Sequence, residues 1–112
     1  EPNDRQRTFS RVMIDAGADV IVGGHPHITQ GAEYHNGHLI VYSLGNFVFD
    51  GFDEGPCRSG WLLRLTLDKL GLVAWDTRVA HADDQGIPHP RPGAASPRGR
   101  RGDSAIEMRA TD

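Results

Sequence analysis

Apolar residues fall first at three- and four-residue spacing, then in one unbroken block, then in alternation, and each change of rhythm marks a change of element. Over residues 4–16, Phe9, Val12, Met13 and Ala16 form one stripe with Arg5, Arg7, Arg11 and Asp15 on other faces, which predicts an amphipathic helix. Asn3 or Asp4 supplies its cap and Gly17 its stop. Residues 18–22 are apolar at nearly every position, the pattern of a short parallel strand covered on both faces. A parallel neighbour is reached by a crossover of about a dozen residues or more, and the chain beyond residue 28 reads as hairpin. The neighbours are therefore expected N-terminal to Glu1, making this chain the C-terminal part of a larger α/β domain.

Asn36-Gly37, between residues 31–35 and 38–43, is a strong hairpin signal, and Leu39-Ile40-Val41-Tyr42 reads as a buried strand. Ser43-Leu44-Gly45-Asn46 comes next as a turn, then Phe47-Val48-Phe49 as a further apolar stretch ending at Asp50. Gly, Pro, Asp and Glu crowd residues 51–59, which predicts a loop. Residues 61–67 and 72–79 alternate around Asp68-Lys69-Leu70-Gly71 and predict an antiparallel hairpin with one buried face. From residue 81 the chain turns polar, and from Pro88 it is rich in proline, glycine and arginine without apolar periodicity. The pattern thus divides the chain into a folded portion, 1–80, and a disordered tail, 81–112.

Composition narrows the function classes. With 112 residues, 38% hydrophobic and 24% charged, the chain makes one soluble domain at most. A formal net charge of −3 and a pI near 6.0 give no reason to expect nucleic acid or an anionic membrane surface as partner. Cys57 is the single cysteine, so neither an internal disulfide nor a Cys-x-x-Cys site is available. No apolar run approaches the ~20 residues that span a bilayer.

Candidate chemistry concentrates where the short strand ends, in Gly23-Gly24-His25-Pro26-His27. The glycines allow a sharp turn or a close backbone approach, and Pro26 pushes His25 out of the helical region towards an extended conformation. Residues two apart in an extended segment share a side, so His25 and His27 aim into one space. Neutral imidazole is the commonest metal ligand, and two such rings can chelate one ion or give one ring to each ion of a pair. The alternative is two surface loop histidines; the strand, the paired glycines and the proline all serve the ligand geometry.

The run from Ala16 to His27, then Gln30, Glu33, Asn36-Gly37 and Tyr42-Ser43-Leu44-Gly45-Asn46-Phe47-Val48-Phe49, resembles the C-terminal half of the bacterial capsule-synthesis CapA family, also known for poly-γ-glutamate biosynthesis, within the calcineurin-like metallophosphoesterases. The resemblance covers about residues 2–80. It implies the C-terminal part of a four-layer α/β/β/α sandwich ending in antiparallel strands. His25 and His27 would there be the last two ligands of a two-metal centre, holding Mn, Fe or Zn, while the remaining ligands lie upstream of this chain. It also implies a phosphorylated or polymer-linked substrate, a capsule-synthesis membrane complex as partner, and a cell-envelope location through an upstream segment. Two histidines alone are too few to hold such a pair, so this stretch by itself is expected to be inactive.

Within that frame Asn46 is read as a hydrogen-bond donor to a phosphate oxygen or, alternatively, as a turn residue tolerating left-handed φ. Glu33 is read as an acceptor that orients a histidine, or as a hairpin surface carboxylate. His35 and His38 go to solvent, Asp50, Asp53 and Glu54 form an acidic loop, and Trp61 and Trp75 belong to the core or a half-exposed sheet. Arg98 to Arg101 and the Arg-Gly-Asp triplet ending at Asp103 read as accidents of composition in a flexible tail. The resemblance allows two functional classes: a phosphoesterase-like enzyme, or a non-catalytic structural partner of a polymer synthesis or export complex. A free-standing binding module is a third, disfavoured by the unpaired parallel strand.

Overall fold

The computed structural model describes residues 1–47 and 58–111. The readings placed on Val48, Phe49, Asp50, Asp53, Glu54 and Cys57 lie outside them. The described chain is α/β: α1 (Asp4–Asp15), β1 (Val20–Val22), β2 (Thr29–His35), β3 (His38–Leu44), β4 (Ser59–Asp68), β5 (Gly71–Ala82), β6 (Pro88–Pro90), β7 (Ala95–Arg100) and β8 (Glu107–Ala110). A first sheet has the order β1-β3-β2; a second has the order β4-β5-β7-β8, with β6 also paired to β5.

The helix begins as its cap residues dictate. Asn3 accepts from the Gln6 backbone N–H at 2.9 Å and the Gln6 side chain accepts from the Asn3 N–H at 2.7 Å, a reciprocal capping box. Its buried face is not the predicted one. Ser10 and Ile14 are buried, whereas Phe9, Val12 and Met13 are 65%, 56% and 41% exposed. Ile14 is the residue that reaches the sheet, packing with Ile40 and Tyr42 and with Ala18 and Ile21 alongside. Sheet contact, not the density of apolar residues, sets the rotation of the helix.

β3 lies at the centre of the fold because alternate residues face opposite ways along a strand. Ile40 and Tyr42 point to the helix, while Leu39 and Val41 point to the second sheet and meet Trp75, with Trp61, Leu63 and Leu65 packed around them. Leu39, Ile40 and Val41 have no exposed surface. The layers are therefore helix, sheet, sheet. The Trp75 indole N–H donates to the Tyr34 hydroxyl at 3.0 Å and links the two sheets by a polar contact inside the apolar layer.

Two expectations are corrected here. β1 finds its parallel neighbour within the chain, pairing Val20 with Leu39, Ile21 with Ile40 and Val22 with Val41. The connection, residues 23–37, is long enough for a parallel crossover, and it carries a strand, β2, where a helix is usual. The predicted disordered tail is instead ordered strand from Pro88 onwards. β6 pairs its prolines with β5 at Ala80↔Pro90 and Ala82↔Pro88, on a three-residue strand at the sheet margin where proline is tolerated. β7 and β8 form a hairpin whose Pro97 and Ser96 are buried, with Thr77 Oγ1 donating to the Pro97 carbonyl at 2.5 Å and Ser96 Oγ to the Thr77 carbonyl at 3.0 Å. Backbone pairing and hydroxyl bonds hold these strands, so no apolar alternation announces them. The Arg-Gly-Asp triplet is their turn: Arg101 forks onto Asp68 at 2.6 and 3.0 Å, and Asp103 accepts from the Arg100 N–H at 2.9 Å.

The capping box yields a direct test. Asn3→Ala removes the side-chain acceptor and is expected to lower unfolding stability by about 1 kcal/mol, measured by urea denaturation, with loss of helical ellipticity limited to the first turn.

Candidate metal centre

The histidine loop is built by close backbone approach. As β1 ends, the Gly23 N–H donates to the Val41 carbonyl at 2.7 Å, and a Cβ at this position would lie 2.1 Å from the Tyr42 carbonyl oxygen. Only glycine fits. His25 then adopts φ +83°, in the left-handed region, and not the extended conformation expected of it. Proline disfavours the right-handed helical region for the residue before it, and the loop takes the left-handed alternative, at a cost of about 1–2 kcal/mol for a side-chain-bearing residue.

His25 and His27 nevertheless come together, with ring centroids 6.2 Å apart and planes tilted by 49°. Both are exposed. Buried Asn46 completes the group: His27 Nδ1 lies 2.8 Å from Asn46 Oδ1. With the amide oxygen accepting, Nδ1 carries the proton, and an imidazole oriented through its second nitrogen in this way is common among metal-binding histidines. Asn46 thus takes the histidine-orienting part that the pattern assigned to Glu33. The amide was expected to address a phosphate oxygen; its carbonyl end addresses the imidazole.

Glu33 is not brought to the histidines. Its carboxylate receives Arg11 Nε at 2.9 Å and Nη2 at 3.0 Å, and the Tyr42 hydroxyl at 3.0 Å. The Arg11 fork, helped by Tyr42, holds Glu33 below the ordinary carboxylate range despite partial burial. The Tyr42 hydroxyl is pushed up to about 12, by burial first and then by the Glu33 bond that needs its proton. This network ties α1 to the first sheet. His35 and His38 also have partners: His35 Nε2 sits 2.9 Å from Asp15, and His38 Nδ1 lies 3.0 Å from the Asp19 carbonyl.

Two supporting residues carried no chemical signature in the pattern. Ser43, fully buried at the end of β3, reaches the Pro26 and Ile28 carbonyls at 3.0 and 2.8 Å, those of the two residues flanking His27. Gly60, at the start of β4, bridges Gly45, and a Cβ there would lie 1.9 Å from the Asn46 carbonyl oxygen. The two sheets meet at this pair of glycines, directly under the asparagine. A serine in a turn and a glycine in a strand are visible in the sequence, but only the crossing of the sheets gives them this task.

The donor set is partial. Among the described residues no group of three or more His, Cys, Asp or Glu side chains gathers to hold an ion, and a catalytic zinc commonly has three protein ligands. His25 and His27 fit as contributors to a centre, with one ring already oriented, and not as a complete one.

A strand-end His-x-His, with an asparagine from the neighbouring turn beside it on an α/β framework, is carried wholly by residues 1–47, and it is this part of the chain that is similar to bacterial capsule synthesis proteins. Residues 1–51 match the family model described as bacterial capsule synthesis protein PGA_cap. Over 50 residues the chain is 64% identical to the PGA biosynthesis protein CapA of Bacillus subtilis (strain 168), covering 45% of this chain and 13% of that protein. It is 52% identical over 50 residues to the capsule biosynthesis protein CapA of Bacillus anthracis, covering 45% and 12%. It is 48% identical over 50 residues to the uncharacterized protein y4sH of Sinorhizobium fredii (strain NBRC 101917 / NGR234), covering 45% and 11%. The chain therefore spans only a small part of the length of these relatives.

Gly60→Ala is expected to destabilise the fold by about 1–3 kcal/mol through overpacking against Asn46, while Gly24→Ala, which meets open space, stays near wild type; urea midpoints of the two variants decide. The acid side offers a second test. A carboxylate more acidic folded than unfolded contributes fully above its unfolded pKa, about 4.3, and loses that contribution as pH falls through the lower folded value. Glu33→Gln is expected to lower stability near neutral pH, by a margin that shrinks as pH falls below the unfolded pKa and vanishes below the folded one; a difference in midpoint that stays undiminished on that descent would refute the ion-pair account.

Proposed function

We propose that the intact protein takes part in capsular polymer biosynthesis, of the poly-γ-glutamate type, as a metal-dependent phosphoesterase-like enzyme, with His25 and His27 supplying part of a two-metal centre. The observation that carries this reading is the pairing of His25 and His27 at the strand end, with His27 Nδ1 held 2.8 Å from Asn46 Oδ1. The names of the related CapA proteins support the pathway. A pair of Mn, Fe or Zn ions would supply charge stabilisation for a phosphoryl centre and a hydroxide near neutral pH. What this chain does is hold two imidazoles: Ser43 anchors the peptide groups around His27, Asn46 sets its ring, and Gly23 seats the loop on β3. The substrate in this reading is a phosphorylated or polymer-linked molecule, the partners a capsule-synthesis membrane complex, and the site of action the cell envelope. Among the described residues no helix is long and apolar enough to cross a membrane.

The four-layer α/β/β/α sandwich belongs to the same proposal. Helix, sheet and sheet succeed one another here in that order, and the exposed stripe of Phe9, Val12 and Met13 is a surface that a neighbouring helix of the outer layer would cover. Burial of such side chains is worth about 1.5–3 kcal/mol each.

A second reading is a non-catalytic partner in polymer synthesis or export, consistent equally with the two histidines that this chain supplies. Metal analysis and phosphodiester turnover of the full-length protein separate the two. His25→Ala and His27→Ala are expected to lower bound metal and abolish turnover, and Asn46→Ala to weaken metal affinity about 10–100-fold. Metal content and turnover unchanged in both histidine variants would remove the site. Bound metal without turnover in the wild type would favour the structural partner.

A further inference from the structure

At the end of β3 farthest from the histidine loop, the β2–β3, β4–β5 and β7–β8 turns close around a cavity of ≈ 170 Å³. Asp19, just before β1, and Tyr34 of β2 complete its wall. The Arg101 fork onto Asp68 fastens the third turn to the second, so the opening is held by both sheets. At about 30 Å³ per water it has room for about six waters, or for one small organic molecule.

The polar groups around this space are mostly acceptors with capacity to spare. His38 Nδ1 lies 3.0 Å from the Asp19 carbonyl, which can only accept; in the uncharged ring Nε2 is then an acceptor, with no partner among the described residues. Asp103 gives Oδ2 to the Arg100 N–H at 2.9 Å, and its other oxygen has no partner among the described residues. The Asp19 carboxylate has none either, and it turns to the cavity wall, since a Cβ on Gly71 would lie 3.6 Å from its Oδ1. The Tyr34 hydroxyl takes the Trp75 indole N–H and keeps its own proton to give. Burial first pushes this phenol above its ordinary value, and the charge of nearby Asp103 pushes the same way.

The charge balance is negative. Arg101 is matched by Asp68. A Cβ on Gly99 would collide with the Tyr34 hydroxyl, so Gly99 faces inward and the next residue, Arg100, faces the opposite side of the sheet. Two carboxylates without a matching cation call for a cationic donor. Among the described residues no three His, Cys, Asp or Glu side chains gather to hold a metal ion. Ammonium hydrogen bonds are longer than bonds to a metal, so their acceptors stand farther apart. An alkylammonium brings three N–H donors and, with a pKa near that of lysine, a charge at neutral pH. Its carbon chain finds Leu39 and Leu72 in the wall and Leu70, 84% exposed, at the rim.

We infer that this cavity binds a small aliphatic primary amine, its ammonium group held by Asp19, His38 and Asp103 and its carbon chain laid against Leu39 and Leu72. Saturation-transfer NMR of 1-aminobutane with the full-length protein tests this, with 1-butanol as the uncharged probe of the same shape. The amine is expected to bind saturably and the alcohol at least about tenfold more weakly. Asp19→Asn and Asp103→Asn, the second of which keeps an acceptor for the Arg100 N–H, are each expected to weaken amine binding about tenfold. Glu107→Gln removes the same charge from the outer face of the second sheet, beside Arg98, and is expected to change nothing. No saturable binding of the amine by the wild type overturns the inference, as does unchanged affinity in both aspartate variants or an alcohol that binds as tightly. His25→Ala and His27→Ala should bind the amine as wild type does, so failure of the metal reading and failure of this one are told apart.

Discussion

Everything in this fold leans on β3 being covered on both faces. Leu39 and Val41 bury towards the second sheet and Ile40 and Tyr42 towards the helix, so one strand is shared by two apolar layers. A one-residue slip of its register would exchange the two sets and defeat both layers at once. That makes β3 a fixed ruler. Parallel pairing with it places the end of β1, and antiparallel pairing places β2.

The candidate centre is read off the end of that ruler. Ser43 lies one residue beyond the apolar block and reaches the carbonyls on either side of His27, and Gly23 abuts the Tyr42 carbonyl. Asn46 sits just past the strand, its backbone packed against Gly60 of the opposing sheet. The left-handed backbone of His25 is tolerated because its neighbours are pinned by these contacts, and strain of this kind persists only where the surroundings over-determine it. A rigid floor thus carries an exposed pair of imidazoles, as a ligand-holding site requires.

The two halves of the chain treat charge differently. Around α1 and β2, charged groups close on one another at the junction of helix and sheet, as Glu33 does with Arg11 and Tyr42. On the outer face of the second sheet they form a lattice with cationic excess, and the hairpin that completes it lies in the stretch richest in arginine, proline and glycine. The same residues that hide the strands from a periodicity argument build the charged surface.

Much of this was legible beforehand. Local signals are strong where one residue type has one physical use: the Asn3 cap, the Asn36-Gly37 turn and the alternation of residues 61–67 occur as their chemistry predicts. The two imidazoles of the His-Pro-His corner share a region as expected, although His25 is left-handed and not extended. What the tertiary structure decided is everything that depends on a second element arriving. It chose Ile14 over Phe9 as the buried face of the helix, because a helix turns whichever side meets the sheet. It gave β1 an internal parallel partner, handed the orientation of His27 to Asn46 in place of Glu33, and ordered residues 88–110 through backbone pairing. Hydrogen bonds between distant backbones and hydroxyls leave no period in a sequence, since they ask nothing of the side chains in between.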